Sequence, residues 1–209
     1  MVVRALLLDF NGTLSDDEPL LCSIFQELFA ELGKPISEAE YFEQLAGLSD
    51  PEVVEKWLGS PDSGVVARKI ERYRELSADG TTVSPEARQA VLDAADRVAV
   101  AVVSGSARSE IKPVLEAAGL TSAIVALVAS EDVERGKPAP DGYLCALELL
   151  EVDPHEAVAV EDSDVGIAAA KAAGVRCVAV TGTLPLDRLS AADEIINGLD
   201  PDFVRRVLA

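Results

Sequence analysis

Apolar positions follow two different rules in two parts of this chain. Residues 5–8 form the unbroken run Ala-Leu-Leu-Leu, which ends in Asp9 and a Gly-Thr turn. From about residue 83 onward, further short runs occur at Val98–Val103, Ile124–Ala129, Ala157–Val160 and Arg176–Val180, with Glu194–Ile196 as a short edge strand. Unbroken runs of this length mark strands buried on both faces, as in a parallel sheet. Between them lie segments of helical spacing that stop at glycine, Ile111–Ala118 before Gly119 and Val165–Ala173 before Gly174. Strands alternating with helices in this way imply βαβ units.

Residues 15–80 carry no strand pattern. Leu20, Leu21, Ile24, Phe25, Leu28, Phe29 and Leu32 recur at helical spacing up to Gly33. Ser37 and Glu40 form a capping box for a second helix. Asp50-Pro51 reads as an N-cap followed by proline at the first helical position, with Gly59 as the stop. A fourth helix is predicted over Ser63–Leu76. The expected architecture is therefore α/β, with residues 1–14 and 83–209 forming a parallel-sheet core and residues 15–82 an all-helical insert.

Composition narrows the class. In 209 residues, apolar types reach 49 % but aromatics only 4 %, so the core must be built from Ala, Val, Leu and Ile. The net charge of −19 argues against nucleic acid, whose phosphates need a basic face. It also makes an anionic substrate awkward unless a divalent cation relieves the charge locally. Cys22, Cys145 and Cys177 form no CxxC pair and read as small core residues in a reducing compartment. His155 is the single histidine, which rules out a His-rich metal site; it reads as a loop residue. With no signal-like N-terminus and no run of membrane length, the expected location is the cytoplasm.

Four stations of chemistry stand at strand ends. Asp9 alone serves equally as a turn residue or a reactive carboxylate, and Gly12-Thr13 tips the balance, because such a turn can cradle an anion. Ser104-Gly105-Ser106 closes a strand before a helix, where hydroxyl and amide groups suit a phosphate, although Ser106 also reads as an ordinary N-cap. Lys137 lies in Gly-Lys-Pro-Ala-Pro, a loop stiffened by two prolines that would hold its charge in place. Glu161-Asp162 crowds carboxylates at a strand end in a way that suits Mg²⁺; Asp164 is explained by the helix dipole alone. If the fourth strand pairs on the far side of the first, the sheet order reverses there. Ligand crevices open at such switch points.

In chain order the stations resemble the four motifs of the haloacid dehalogenase (HAD) superfamily. Asp9-Phe10-Asn11-Gly12-Thr13-Leu14 is similar to the nucleophile motif, Val103-Ser104-Gly105-Ser106 to the second, Gly136 through Asp141 to the third, and Glu161-Asp162-Ser163 onward to Gly174 to the fourth. The helical insert resembles the cap of the β-phosphoglucomutase-like branch, which Asp16 and Pro19 also fit. The resemblance implies a Rossmann-like core and a mobile cap. It implies Mg²⁺ held by Asp9, the carbonyl of Asn11, Glu161 and Asp162, nucleophilic attack by Asp9, and a phosphoryl group bound by Gly12, Thr13, Ser104, Gly105 and Lys137.

Three departures qualify that implication. The family's phosphatases use an aspartate where Asn11 stands, to protonate the leaving group and activate water; an amide does neither. The mutases carry a cap arginine after Gly-x-Ser, whereas Asp50 follows Gly47-Leu48-Ser49 and argues against mutase activity. The tyrosine typical of dehalogenases two residues after the nucleophile is absent. The leading expectation is a phosphatase for a small phosphorylated metabolite, plausibly monomeric, with an impaired acid–base step. Two alternatives stand beside it. One is a weakly catalytic relative that binds a phosphorylated ligand. The other is a hydrolase of a carbon–halogen or carbon–phosphorus bond, the latter requiring a cap lysine such as Lys34, Lys56 or Lys69. Asp17, Glu18, Asp50, Trp57, Arg72 and Arg74 are candidates to face the cleft, each with solvation or packing as the simpler role.

Overall fold

The computed structural model describes residues 2–208. Its strands are β1 (Ala5–Leu8), β2 (Ala99–Val103), β3 (Ala126–Val128), β4 (Ala157–Glu161), β5 (Arg176–Val180) and β6 (Glu194–Ile196). They form one parallel sheet in the order β3-β2-β1-β4-β5-β6. The order reverses at β1, as the sequence reading required for a crevice. Leu8 is level with Val102 on one side and Val160 on the other, so Asp9 emerges beside Val103 and Glu161. Every side chain of β1 is fully buried, which explains its unbroken apolar run.

After β1 come α1 (Glu18–Glu31), α2 (Glu38–Gln44), α3 (Asp50–Leu58) and α4 (Ser63–Leu76), with no strand among them. The remaining helices are α5 (Pro85–Ala95), α6 (Arg108–Ala117), α7 (Asp141–Leu150), α8 (Asp164–Ala172) and α9 (Pro201–Val207). In α1, Leu21, Ile24, Phe25, Leu28 and Phe29 are buried at three- and four-residue spacing. Phe25 stacks on Phe29 at 5.4 Å, and Phe29 on Trp57 of α3 at 6.3 Å. Burying each phenylalanine contributes roughly 1.5–3 kcal/mol. The segment leaves and rejoins the core at one place, where the Asp16 N–H and the Ser15 hydroxyl both donate to Thr82, each at 2.8 Å.

Two helix starts differ from the expectation. Ser49, not Asp50, caps α3, because its N–H and hydroxyl both donate to Glu52 at 3.0 and 2.6 Å. The Asp50 side chain is thereby free for another partner. Ser106 does not cap α6; Ala107 does, its N–H satisfied by Glu110 at 3.2 Å, while the Ser106 hydroxyl turns to Asn11. β3 is shorter than the predicted run because it is a sheet edge, with Val125 turned to solvent. Cys22 and Cys177 are buried and Cys145 is half-buried; all three are free thiols. His155 is exposed. No helix among the described residues is long and apolar enough to cross a membrane.

Candidate active site

Asp9, one residue beyond β1, is nearly buried at 6 % exposure. Its Oδ1 accepts a hydrogen bond from Lys137 Nζ at 2.5 Å. The same ammonium reaches Glu161 Oε1 at 2.6 Å and the Val103 carbonyl at 3.1 Å. Burial opposes its charge, but Asp9 and Glu161 outweigh that and raise its pKa above the ordinary lysine value. The proline-braced loop is pinned at its ends, where the Arg135 guanidinium donates to both oxygens of Asp141 at 3.0 and 2.7 Å. A fork of this kind fixes geometry as well as charge.

Asp9, Glu161 and Asp162 each present a carboxylate oxygen, all within 4.8 Å of one another. Glu161 sits at the end of β4, fully buried. Its Oε1 accepts from Lys137 and from the Tyr143 hydroxyl of α7 at 2.5 Å, while its Oε2 is buried with no partner among the described residues. Burial pushes its pKa up to about 7, with Asp9 adding to the rise and Lys137 opposing it. Burial, then Asp9 and Glu161, raise Asp162 well above the carboxylate range, despite a hydrogen bond from Thr183. One lysine for three buried carboxylates leaves negative charge uncompensated. Unpaired buried charge at this density is met by a cation or by protons.

The turn after Asp9 is shaped by glycine. Gly12 has φ +72°, and a Cβ there would lie 1.9 Å from Asp162 Oδ2. Only glycine supplies that conformation and that closeness. Its N–H is already engaged, by the Ser15 carbonyl at 2.8 Å and Asp17 at 3.2 Å. Thr13 is different, because its hydroxyl is buried without a partner among the described residues. Asn11 is fixed on both sides, donating through Nδ2 to Asp17 at 2.9 Å and accepting at Oδ1 from the Ser106 hydroxyl at 2.6 Å. Asp17 in turn accepts from the Tyr73 hydroxyl of α4. Burial raises Asp17 to about 6, with these donors holding it lower than burial alone would.

Ser104, at the end of β2, is buried and accepts from the Ser106 N–H at 3.1 Å. Gly105 faces Ser49 of the helical segment, its Cβ position 3.9 Å from the serine's. Gly47, at φ +84°, comes so close to Ser163 that a Cβ would lie 2.8 Å from it. The segment thus closes over the strand ends and encloses a cavity of about 290 Å³ lined by Asp9, Asn11, Ser104, Gly105, Lys137 and Asp162 from below. Glu18, Tyr41 and Asp50 are among its upper lining residues. The Tyr41 hydroxyl donates to Glu18 at 3.0 Å, and burial followed by repulsion from Asp17 lifts Glu18 to about 7.

The four stations therefore meet around one cavity. Comparison with known proteins gives the family. The family model described as haloacid dehalogenase-like hydrolase matches residues 6–180. The chain belongs to this family. It is therefore a hydrolase of the haloacid dehalogenase-like kind. It is 28 % identical to validoxylamine A 7'-phosphate phosphatase of Streptomyces hygroscopicus subsp. limoneus, over 94 % of both chains. It is 32 % identical to hexitol phosphatase B of Escherichia coli, over 85 % of this chain and 83 % of that one. Among solved structures, a mutant of CbbY from Rhodobacter sphaeroides in complex with xylulose-1,5-bisphosphate superposes with a TM-score of 0.85, at 29 % identity and 95 % coverage of each chain.

Not every candidate reaches the HAD-like site. Trp57 is packed on Phe29 with its N–H on the Lys34 carbonyl at 2.8 Å, Arg72 is half-buried beside Glu27 and Glu75, and Arg74 is exposed. Lys34 and Lys56 cap backbone carbonyls of the helical segment, and Lys69 is buried between Asp50 and Glu110. None of the three therefore offers the free amine that carbon–phosphorus chemistry requires. Tyr143, Thr183, Tyr41 and Tyr73 escaped the sequence reading, and Ser106, read as an N-cap, instead donates to Asn11. Each is a common residue inside a helix or loop, and only tertiary packing brings it to the motif residues.

Proposed function

We propose that the protein is a Mg²⁺-dependent phosphatase acting on a small phosphorylated metabolite, with Asp9 as nucleophile. The observation that supports this above all is the Asp9 carboxylate held at 2.5 Å by Lys137 within a cluster of three buried carboxylates. The family generally uses Mg²⁺. The donor set fits it, since hard oxygen ligands are gathered with one Glu161 oxygen left without a partner. Asp9, Asp162, the Asn11 carbonyl and Glu161 would hold the ion. When bound, it would neutralise charge on the transferring group.

The remaining roles fall to the chain. Asp9 forms a bond to phosphorus as the ester oxygen departs, giving an aspartyl-phosphate that water later hydrolyses. Lys137, Ser104, Gly105 and the unpartnered Thr13 hydroxyl bind the phosphoryl oxygens, and Gly12 shapes the turn. Residues 15–82 act as a cap that excludes water, pivoting where Ser15 and Asp16 meet Thr82, while 1–14 and 83–209 form the core. Asn11, tied to Ser106 and Asp17, transfers no proton. Substrates with good leaving groups, such as acyl phosphates, are therefore favoured. Neither nucleic acid nor membrane is a partner on this reading, and a reducing, cytoplasmic setting suits the three free thiols.

Incubation with Mg²⁺ and acetyl phosphate or an aryl phosphate, followed by intact mass and phosphate release, tests the proposal. A stoichiometric phospho-enzyme on Asp9 with slow release is expected. Absence of both adduct and turnover over a broad panel would sink it. The fixed Asn11 favours one second reading, a weakly catalytic phospho-ligand binder, which predicts saturable binding of phosphomonoesters without any adduct.

A further inference from the structure

The upper half of the cavity has an unusual electrostatic character for a site that takes phosphates. Leu21, Phe25, Leu48, Val66 and Ile70 give it an apolar lining. Its polar groups are Glu18, Tyr41, Ser49 and Asp50, of which two are acids. Cations are accounted for one by one. Lys137 is committed to Asp9 and Glu161. Arg135 is 71 % exposed and forked onto Asp141. Lys69 stands behind the wall, fully buried, with Asp50 at 2.9 Å and Glu110 at 2.7 Å, so the trio carries a net negative charge.

Among the described residues, then, no lining cation is free to receive a second anionic group. Resting on the phosphatase reading of this same site, we propose that the substrate is a monophosphate whose leaving group has an apolar face, no second anion, and an amine or hydroxyl that meets Glu18. The tyrosine hydroxyl is the one hydrogen-bond donor on the Glu18 carboxyl among the described residues, which leaves accepting capacity for a ligand donor. A phosphate or carboxylate at that end would be desolvated against Glu18 and the Asp50 trio with no counter-charge, and a site discriminates most sharply by such unmatched charge.

A matched series of butyl monophosphates ending in methyl, hydroxyl, ammonium, carboxylate or a second phosphate tests this. Each kcat/KM is measured with Mg²⁺ in high salt, alongside acetyl phosphate, which is too short to reach the upper wall. Ammonium and hydroxyl ends should exceed methyl, and both anionic ends should fall at least about tenfold below hydroxyl. Glu18→Gln should erase the advantage of ammonium over hydroxyl. Asp50→Asn, by removing one negative charge from the trio beside the cavity, should raise the anionic ends relative to hydroxyl. Equal or better turnover of the anionic ends, or an ammonium advantage that survives Glu18→Gln, overturns the substrate assignment while acetyl phosphate turnover keeps the phosphatase reading. Failure to turn over acetyl phosphate as well overturns both.

Discussion

At the scale of single residues, Asn11 and Glu18 carry the sharpest tests of the proposed chemistry. Asn11 Oδ1 already accepts a hydrogen bond from the Ser106 hydroxyl, and its Nδ2 donates to Asp17. Asn11→Asp restores an ionisable group at that position. It should raise phosphatase turnover of an alkyl phosphate by about 10²–10⁴-fold if the rest of the site is intact, because that is the usual value of general acid–base help. Steady-state kinetics on an alkyl and an acyl phosphate check it: the gain in kcat/KM should be smaller for the acyl phosphate, whose leaving group needs no proton, while kcat, limited by hydrolysis of the phospho-enzyme, should rise for both. No gain on either would mean that the site has diverged from phosphoryl transfer. Glu18 carries a stability prediction. Its folded pKa of about 7 lies above the ordinary 4.5, so the folded state keeps the proton that the unfolded chain gives up. The stability it contributes is fully present below about 4.5 and is lost as pH rises through about 7. The loss is on the order of 3 kcal/mol. Glu18→Gln keeps an acceptor for Tyr41 and removes the titration. Urea unfolding of the variant between pH 5 and pH 8 should lack this decline, and parallel curves for variant and parent would refute it.

Elements show where sequence carries structural information and where it does not. The six strands are legible because each is an apolar run interrupted only at its ends, and β5 and β6 match their predicted bounds residue for residue. The switch at β1 is legible only on the condition that the fourth strand pairs on the far side of the first, which the sheet order meets. Helix starts are less legible, since local capping competes with tertiary demand. Ser106 has the right residue type for an N-cap, yet Asn11 takes its hydroxyl. Asp50 looks like a cap, yet Ser49 wins through Glu52, and Asp50 turns to Lys69. Lys69 looks like a surface lysine of an amphipathic helix, and no local pattern reveals that α4 presses it onto Glu110 of α6. That contact ties the helical segment to the core. Lys69→Met should cost about 3–5 kcal/mol, because it leaves two carboxylates buried against each other. Adding Asp50→Asn and Glu110→Gln should recover most of the loss. Denaturant unfolding measures both, and a cost under about 1 kcal/mol for the single change would show that water reaches the cluster.

For the molecule as a whole, the net charge of −19 and the buried carboxylate cluster make different demands on ions. Diffuse surface repulsion is screened by any salt, so NaCl should raise the melting temperature gradually as the Debye length shrinks. The cluster of Asp9, Glu161 and Asp162 is a local site, and an ion that binds only the folded state stabilises it by mass action. Mg²⁺ at ten times its Kd should add about 1.4 kcal/mol, a shift of a few degrees for a chain of this size. The decisive comparison is made at constant ionic strength, with Mg²⁺ exchanged for Na⁺ and with a chelator as the metal-free reference. The Mg²⁺-specific increment should persist in high NaCl. It should vanish in Asp162→Asn, which removes a carboxylate of the proposed ion site beside the Gly12 turn while leaving the surface charge almost unchanged. If Mg²⁺ does no more than NaCl of the same ionic strength, the cluster is relieved by Lys137 and by protons instead. Phosphoryl transfer from Asp9 would then proceed on the lysine's charge alone.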